Sequence, residues 1–339
     1  MKKLNKHIFF VLVFLSIYIV NCSEDANQPE NPPQLVGSID LSSYGRVEDV
    51  AVKGNYAYIA AKDGGLIVVD ISDPENPTFK KKFTTPNPLW RIFISGNYLY
   101  GACSSGGLVI FDISDINSIR IIGDDRTNNS WAYGVYADSN LAFWVGASHN
   151  AEKGVLAITD ISDPDNPLNI SYIEVGVSWC YGVYASGSRV FVGDASGTLH
   201  IYDISDPTSP EKIATLADGG EGSCIFNLTV RDNKAYLCNN LKGFLVIDVE
   251  NPEELKLLGR LDINYGFYDL VLNTNDICYS SASWGGLRTI NISNPTNPTE
   301  TRSAFCPEFT CIHGIDKYNN YVYIADSGTH SLMIVDISE

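Results

Sequence analysis

The sequence predicts an all-β fold, a seven-bladed β-propeller built from four-stranded antiparallel blades, on three observations. A motif of the form Asp-Ile-Ser-Asp-Pro recurs seven times. Its copies span 266 residues, about 44 per step, which is the length of one four-stranded blade. No segment carries a sustained 3.6-residue apolar period, so helices should be rare. The copies begin at Asp70, Asp112, Asp160, Asp203, Asp248, Asn291 and Asp336.

Each repeat contains four strand patterns in the same order. In the first, apolar-rich segments at 47–52 and Tyr56–Ala60 flank the turn Gly54-Asn55, whose residue types tolerate a positive φ. The segments Leu66–Asp70 and Thr78–Phe83 follow as the third and fourth strands. The repeat therefore specifies one blade, and seven repeats specify seven blades.

The chain ends predict how the ring closes. The last repeat stops just after its third strand, whereas residues 34–40 resemble a fourth strand but precede the first repeat. We expect 34–40 to complete the last blade, because ring closure protects sheet edges that would otherwise aggregate. The propeller domain should therefore span residues 34–339.

The third strands resemble those of a known family, the LVIVD-repeat proteins of bacterial and archaeal cell surfaces. The closest segments are Leu66–Asp70 (LIVVD), Leu108–Asp112 (LVIFD) and 332–336 (LMIVD). The resemblance covers roughly residues 34–339. It implies a β-propeller that is usually attached to a surface, and it supplies no catalytic residues.

The first 33 residues read as targeting and linker sequence. Lys2, Lys3 and Lys6 precede an apolar-rich run of 13 residues, 8–20, which is short for a membrane span but suits a signal peptide. Cys22 follows directly in a lipobox-like context, so residues 1–21 are predicted to be a lipoprotein signal peptide. The alternative is plain secretion. Residues 22–33 are polar and proline-rich and form a flexible tether.

The predicted localisation and the net charge of the chain together limit its possible partners. We expect an exported protein, lipid-anchored to the bacterial cell envelope at the outer membrane or cell surface. The formal net charge of −17 disfavours nucleic acid and anionic lipid, so membrane contact should come only through the anchor. We expect a monomer with no cofactor.

Export also permits disulfides among the eight cysteines. Cys306 and Cys311 flank a short loop and form the best local pair. Cys238 and Cys278 lie in strand patterns and should be buried. Cys224 and Cys311 occupy equivalent repeat positions, which argues for packing as much as for pairing.

One position at the start of the inner strand is aromatic in five of the seven repeats and should lie at one mouth of the central channel. It could form an aromatic binding pocket or simply pack between blades, and packing is favoured. The seven residues are Glu48, Trp90, Tyr133, Tyr181, Phe226, Tyr268 and His313.

The next position is polar or glycine, and its glycines could make room for rings of an adjacent blade. The preferred arrangement places Trp90 over Gly134, Tyr133 over Gly182 and Tyr268 over Gly314. It also pairs Glu48 with Arg91 and His313 with Asp49. The opposite direction places Tyr181 over Gly134 and His313 beside Asp269. The residues at this position are Asp49, Arg91, Gly134, Gly182, Asn227, Asp269 and Gly314.

Other candidate sites are weaker. The repeated aspartates could bind cations, but seven identical Asx turns explain them better, and no metal site is expected. The third repeat is the longest, with extra residues at 148–154 on the side of the aromatic position. They could confer binding specificity or be a tolerated insertion.

The sequence therefore favours a surface-anchored, non-enzymatic binding or scaffold module that presents a rigid face to a protein, peptide or glycan. No catalytic constellation is visible. The alternative is an enzyme of hydrolase or lyase type at the channel mouth, built from Arg91, His313, Asp49, Asp269 and the tyrosines.

Overall fold

The computed structural model describes residues 32–176, 179–217, 223–262, 266–304 and 311–338. They form seven four-stranded antiparallel sheets arranged in a ring, which confirms the predicted seven-bladed propeller. Helix is limited in these ranges to two 3₁₀ turns, Thr127–Asn129 and Pro252–Glu254.

Each of the first six blades is a contiguous stretch of chain in which sequential strands pair as hairpins. The strands are β1 (Gln34–Asp40); for blade 1, β2 (Asp49–Lys53), β3 (Tyr56–Ala60), β4 (Leu66–Asp70) and β5 (Thr78–Phe83); for blade 2, β6 (Arg91–Ser95), β7 (Tyr98–Ala102), β8 (Leu108–Asp112) and β9 (Arg120–Asp125); for blade 3, β10 (Trp131–Asp138), β11 (Leu141–Ala147), β12 (Gly154–Asp160) and β13 (Leu168–Gly176); for blade 4, β14 (Cys180–Ser186), β15 (Arg189–Asp194), β16 (Thr198–Asp203) and β17 (Glu211–Ala217); for blade 5, β18 (Ile225–Arg231), β19 (Lys234–Asn239), β20 (Gly243–Asp248) and β21 (Lys256–Leu261); for blade 6, β22 (Asp269–Leu272), β23 (Ile277–Ser281), β24 (Leu287–Asn291) and β25 (Thr299–Ala304); and for blade 7, β26 (Ile312–Tyr318), β27 (Tyr321–Asp326) and β28 (Ser331–Asp336).

Blade 7 is completed by the start of the domain, as predicted. Strand β1 pairs antiparallel with β28, with Gln34 opposite Asp336 and Asp40 opposite Ser331. Gly37 sits at a bulge in this pairing, where a Cβ would lie 2.0 Å from the carbonyl oxygen of Pro74 in blade 1. The two ends of the ring are therefore joined by a ladder of backbone hydrogen bonds, and a side chain at position 37 would clash with blade 1.

The hydrophobic core is divided among the seven interfaces between neighbouring blades. Alternate strand residues face opposite neighbours, so one strand contributes to two cores. In β4, for example, Ile67 and Val69 pack with Ile334 of blade 7, whereas Leu66 and Val68 pack with blade 2. Each of these side chains is fully buried, and burying one stabilises the fold by roughly 1.5–3 kcal/mol. The core therefore fixes each inner strand against both neighbours.

The inner strand of each blade is the first one, and the fourth lies at the outside. In blade 1, β5 is exposed along most of its length, whereas β2 is largely buried. Within the described residues, no helix combines the length and the apolar character needed to cross a membrane.

Candidate functional site

The residues at the aromatic position form a nearly continuous belt at one end of the inner strands; we call the seven residues the rim. Consecutive members are in contact from Trp90 round to Glu48. The ring-centroid distances are 5.7 Å for Trp90–Tyr133, 5.4 Å for Tyr133–Tyr181, 5.4 Å for Tyr181–Phe226, 4.4 Å for Phe226–Tyr268 and 5.0 Å for Tyr268–His313, and His313 Nδ1 lies 2.8 Å from Glu48 Oε2.

Five rim side chains are partly exposed, whereas Tyr133 is 9% exposed and Glu48 is 4% exposed. The belt is therefore held by ring-on-ring packing between blades and still offers aromatic surface. Each such pair adds about 0.5–1.5 kcal/mol beyond its buried area. Packing and an accessible aromatic surface, weighed as alternatives from sequence, occur together here.

Two further tryptophans extend the rim in blades 3 and 4. Trp179 stacks on Tyr133 at 5.7 Å, and Trp131 contacts both rings edge-on. The indole N–H of Trp179 donates a 2.9 Å hydrogen bond to the carbonyl of Ala151. Ala151 belongs to the extra residues of the third repeat, so that insertion reaches the rim side of the propeller. Sequence analysis missed both tryptophans, although each lies two residues before a rim position.

The second position forms a separate layer next to the rim; we call its seven residues the polar layer. Arg91 lies at its centre, because its guanidinium crosses from blade 2 to blade 6. Arg91 Nη1 is 3.0 Å from Asp269 Oδ2 and 3.7 Å from Asp49 Oδ1, and all three side chains are at least four-fifths buried. Asn227 donates a hydrogen bond to Asp269. These groups tie four blades together across the channel.

The carboxylates of the polar layer also hold the backbone of the following blade. Asp49 Oδ2 accepts from the N–H of Ile92, and Asp269 Oδ2 accepts from the N–H of Ile315, each at 2.9 Å. Burial raises the pKa of the Asp49 carboxyl, an effect that the Arg91 charge opposes. These aspartates therefore have a clear structural function.

The expected pairing between the two layers is wrong. Glu48 contacts His313 and Arg46 rather than Arg91, and His313 contacts Glu48 rather than Asp49. Arg91 instead binds residues of its own layer. Like positions meet like positions around the ring, because each layer lies at its own height along the channel.

The glycines of the polar layer make room for backbone rather than for rings. A Cβ on Gly134 would lie 2.0 Å from the carbonyl oxygen of Tyr181, and one on Gly314 would lie 2.1 Å from Oδ1 and 2.5 Å from Cα of Asp49. At Gly182 the nearest atom is the Cα of Asn227, at 3.3 Å. Each glycine therefore lets the inner strand of the following blade approach closely. The prediction that the rings of Trp90, Tyr133 and Tyr268 lie over Gly134, Gly182 and Gly314 is therefore wrong.

A cavity of about 480 Å³ occupies the channel beyond the polar layer, and all seven inner strands line it. Phe93, Tyr136 and Tyr184 pack in series along one side, at 4.7 and 4.6 Å. Asp316 lines the opposite side, where it accepts a 2.7 Å hydrogen bond from the N–H of Val52. Burial raises the pKa of Asp316 to about 6.

His313 joins a second polar cluster, with Glu48 and Cys311. Its Nε2 lies 3.3 Å from Cys311 Sγ, and its Nδ1 faces Glu48. Burial opposes protonation of the imidazole, but the hydrogen bonds to Cys311 and Glu48 outweigh it and raise the pKa of His313 to about 9. The hydrogen bond from His313 lowers the pKa of the Cys311 thiol below its ordinary value.

The remaining cysteine predictions have mixed outcomes. Cys238 and Cys278 are fully buried, as expected. Cys306 lies outside the described residues, so its predicted bond to Cys311 stays a prediction, as does lipidation of Cys22. Among the described cysteines, the thiols at 103, 224, 238, 278 and 311 are free.

The repeated aspartate makes the predicted Asx turn in every blade. Its Oδ1 accepts a hydrogen bond from the N–H two residues further on, at 2.7–3.0 Å. Asn291 makes the same bond in blade 6. The seven acceptors are Asp70, Asp112, Asp160, Asp203, Asp248, Asn291 and Asp336.

Comparison with known proteins adds the family. The LVIVD repeat matches residues 44–85, 89–124, 180–216, 226–263, 279–304 and 314–339, which together cover more than half of the chain. The chain belongs to the LVIVD repeat family. Blade 3 contains no matching segment, yet it forms four strands like its neighbours and carries the insertion that reaches the rim.

Solved structures share the fold at low sequence identity. The β-propeller domain of Myceliophteria thermophila Cps50 (Swd1) has a TM-score of 0.69 at 14% identity, covering 91% of this chain and 100% of that one. A chain of the Mitotic Checkpoint Complex gives 0.67 at 11%, covering 99% of each. The designed Ika8 protein gives 0.63 at 13%, covering 90% and 100%. No curated protein matches the chain.

Proposed function

We propose that this chain is a surface-anchored binding module whose rim contacts a protein, peptide or glycan. The rim supports this proposal because it combines partly exposed rings with a rigid base. Aromatic faces suit sugars and apolar peptide side chains. The polar layer beneath ties blades 1, 2, 5 and 6 together, so the rings are fixed before a partner arrives, which lowers the entropic cost of binding.

Apolar side chains outside the rim support a macromolecular partner. Trp284 is 67% exposed and Leu241 is 60% exposed. Both lie in turns between the second and third strands, in the adjacent blades 6 and 5, on the side of the rim. Exposed aromatic residues are enriched at protein interfaces. A partner that spans the rim and these two turns would bury all of them.

The anchoring part of the proposal comes from the N-terminal sequence. A lipid on Cys22 and a tether over residues 22–33 would hold the propeller at the bacterial outer membrane or cell surface. Membrane contact would be through this anchor alone, with nucleic acid excluded by charge, and the module would act as a monomer. Metabolic labelling with a palmitate analogue, compared between the native chain and Cys22→Ala, tests the anchor, and equal labelling would refute it.

A binding screen tests the rim. The full chain is passed over glycan and peptide arrays, and the hits are repeated with Tyr181→Ala and Trp90→Ala. We expect each substitution to weaken binding roughly tenfold or more, as loss of an aromatic contact at an interface does. Phe79→Ala is the matched control, since Phe79 is an exposed ring on the outer strand β5. Equal affinity of all variants would eliminate the rim as the contact surface.

Of the side chains expected for the enzyme alternative, three are engaged in the polar layer. These are Arg91, Asp49 and Asp269, whose side chains bind one another and backbone groups. Among the residues named for that alternative, His313 faces a nucleophile, the thiol of Cys311.

A further inference from the structure

Cys311, His313 and Glu48 are arranged as a nucleophile, a base and an orienting carboxylate. His313 Nδ1 lies 2.8 Å from Glu48 Oε2, which leaves Nε2 directed at Cys311 Sγ, 3.3 Å away. This chain of contacts, from thiol to imidazole to carboxylate, is the geometry that activates cysteine nucleophiles. Cys311 directly precedes β26, and His313 is the second residue of that strand, so the two side chains are two residues apart at its start.

Each of the three groups is held by its surroundings. Glu48 is 4% exposed, and its second oxygen lies 3.1 Å from Arg46 Nε, an ion pair without a hydrogen bond, since that N–H donates to Ser327 Oγ. The ring of His313 stacks on the ring of Tyr268 of blade 6, and the angle between the two ring planes is 16°. The backbone N–H of Cys311 donates to Asp326 Oδ1, and its carbonyl accepts from Ser327. The cluster is therefore preorganised across the junction of blades 6, 7 and 1.

The same repeat position in blade 5 provides a contrast within the molecule. Cys224 is two residues before Phe226, as Cys311 is two residues before His313. Cys224 is 6% exposed, and burial raises its pKa to about 12. Cys311 is partly exposed and has a histidine partner. A buried cysteine and an aromatic ring, as in blade 5, would be enough for packing. The imidazole of His313 and the buried carboxylate of Glu48 therefore require another explanation.

We propose that Cys311 is the nucleophile of a thiol-dependent acyl hydrolase site at the rim, with His313 as its acid and base and Glu48 as a positioning residue. The site goes beyond the binding role and does not depend on it. The substrates would be carboxylic esters or amides with an apolar acyl group, because Tyr268 and the exposed Trp284 provide apolar surface beside the thiol. Trp284 adjoins Ser283, whose Oγ lies 3.7 Å from Cys311 Sγ.

The reaction balances with water as the only co-substrate. The Cys311 thiolate attacks the carbonyl carbon and forms a C–S bond, and the hydroxyl of Ser283 can donate to the developing oxyanion. Collapse breaks the C–O or C–N bond, and the leaving group takes a proton from His313 Nε2. Water then attacks the thioester and gives a proton to Nε2. The C–S bond breaks, releasing the carboxylic acid and restoring the thiolate.

Alkylation measures the first requirement, an ionised thiol. The full chain is reduced, freed of reductant and treated with iodoacetamide from pH 5 to 9, and each cysteine is followed by peptide mass spectrometry. We expect the alkylation rate of Cys311 to level off at a lower pH than that of an ordinary thiol, and Cys224 to react at least about tenfold more slowly. The charged groups facing the thiol and imidazole are Arg46 and Glu48 from blade 1 and Asp326 from blade 7, and the titratable Tyr268 from blade 6 is neutral over this pH range.

His313→Phe converts the junction to the arrangement of blade 5. At pH 6.5 an ordinary thiol with a pKa near 8.5 is about 1% ionised, so we expect alkylation of Cys311 to slow by roughly tenfold to 100-fold. A Cys311 profile that rises with pH like an ordinary thiol and does not change in His313→Phe would overturn the proposal.

Turnover measures the second requirement. With 4-nitrophenyl acetate, hexanoate and phenylacetate, we expect a burst of nitrophenolate, an acyl adduct on Cys311 and steady hydrolysis that Cys311→Ser abolishes. Glu48→Gln should lower kcat by about tenfold and shift its pH profile, and Glu48→Asp should restore part of it. An adduct that water does not release, or turnover unchanged in Cys311→Ser, would refute the site. Circular dichroism and urea midpoints show whether each variant folds.

Discussion

The turns after the third strands and the starts of the inner strands both occur once in each of the seven blades. Side-chain contacts are the same in every one of these turns, but they vary between blades at the inner-strand starts. Every outer turn has one solution, an Asx bond to the residue two positions on. The inner-strand starts differ from blade to blade: aromatic rings in five, an ion-paired His and Glu at the junction, and one arginine that crosses the channel. A repeat position with the same side-chain contact in all seven blades maintains the scaffold. A repeat position whose side chains differ between blades can form a functional site.

The pKa values of aspartates in the two regions are also shifted in opposite directions. The hydrogen bonds from Ser72 lower the pKa of Asp70 in an outer turn, and the same cause acts on Asp112 through Ser114. In the channel, burial raises the pKa of Asp49 and of Asp316. An outer carboxylate is therefore stabilised by its surroundings, and a channel carboxylate is kept at a cost that other contacts must offset.

The largest expected effect comes from removing the cation of the polar layer. Arg91→Met leaves Asp49 and Asp269 buried without their partner, and we expect the free energy of unfolding at pH 7 to fall by about 3–5 kcal/mol. Urea unfolding measures it. Arg120→Met is the matched control, because the Arg120–Asp112 pair is exposed and such pairs contribute about 0–1 kcal/mol. Equal losses in the two variants would show that the channel ion pairs hold nothing together.

A smaller effect, of predictable sign, should follow pH. The carboxyl of Asp316 has a pKa of about 6 when folded and about 4 when unfolded, so the folded chain binds its proton more tightly. Its contribution to stability is full below pH 4 and is lost as pH rises through 6. Relative to Asp316→Asn, the native chain should therefore lose stability between pH 4 and 7 in urea titrations.

The outer turn supplies the opposite control for this titration. The folded-state pKa of Asp70 is lowered, so its contribution is full above pH 4 and is lost only as the solution becomes more acidic. Asp70→Asn should therefore give a difference from the native chain that is constant from pH 5 to 7. If Asp316→Asn shows the same flat difference, the channel does not desolvate that carboxyl.

Sequence periodicity was sufficient for every feature that repeats. The seven blades, the closure by 34–40 and the Asx turns follow from local pattern, because hairpin ladders and turns are made by residues close in sequence. Membership of the rim could also be predicted, since a position aligned in seven repeats must lie at one height around the ring.

What the pattern could not give is which side chains meet. The expected rule, that a rim residue pairs with the polar-layer residue of the next blade, failed because the two layers lie at different heights. Arg91 pairs with Asp269 three blades away across the channel, a contact that no neighbour rule contains. The Cys311–His313 contact could have been predicted, since residues two apart in extended chain share a face. It was missed because the aligned position two residues before the rim was weighed only for packing and for disulfide pairing, and not as a partner of the rim residue that follows it.

The smallest expected effect is in the outer turns, where it separates a backbone bond from a cation site. In blade 6 the amide of Asn291 accepts hydrogen bonds from Ser293 N and Oγ at 2.9 and 2.7 Å, as the carboxylate of Asp70 does from Ser72. Asp70→Ala should therefore cost about 0.5–1.5 kcal/mol in urea unfolding, whereas Asp70→Asn should cost less than about 0.5 kcal/mol. If Asp70→Asn is as costly as Asp70→Ala, and added calcium stabilises only the native chain, the charge rather than the turn is what the repeat preserves.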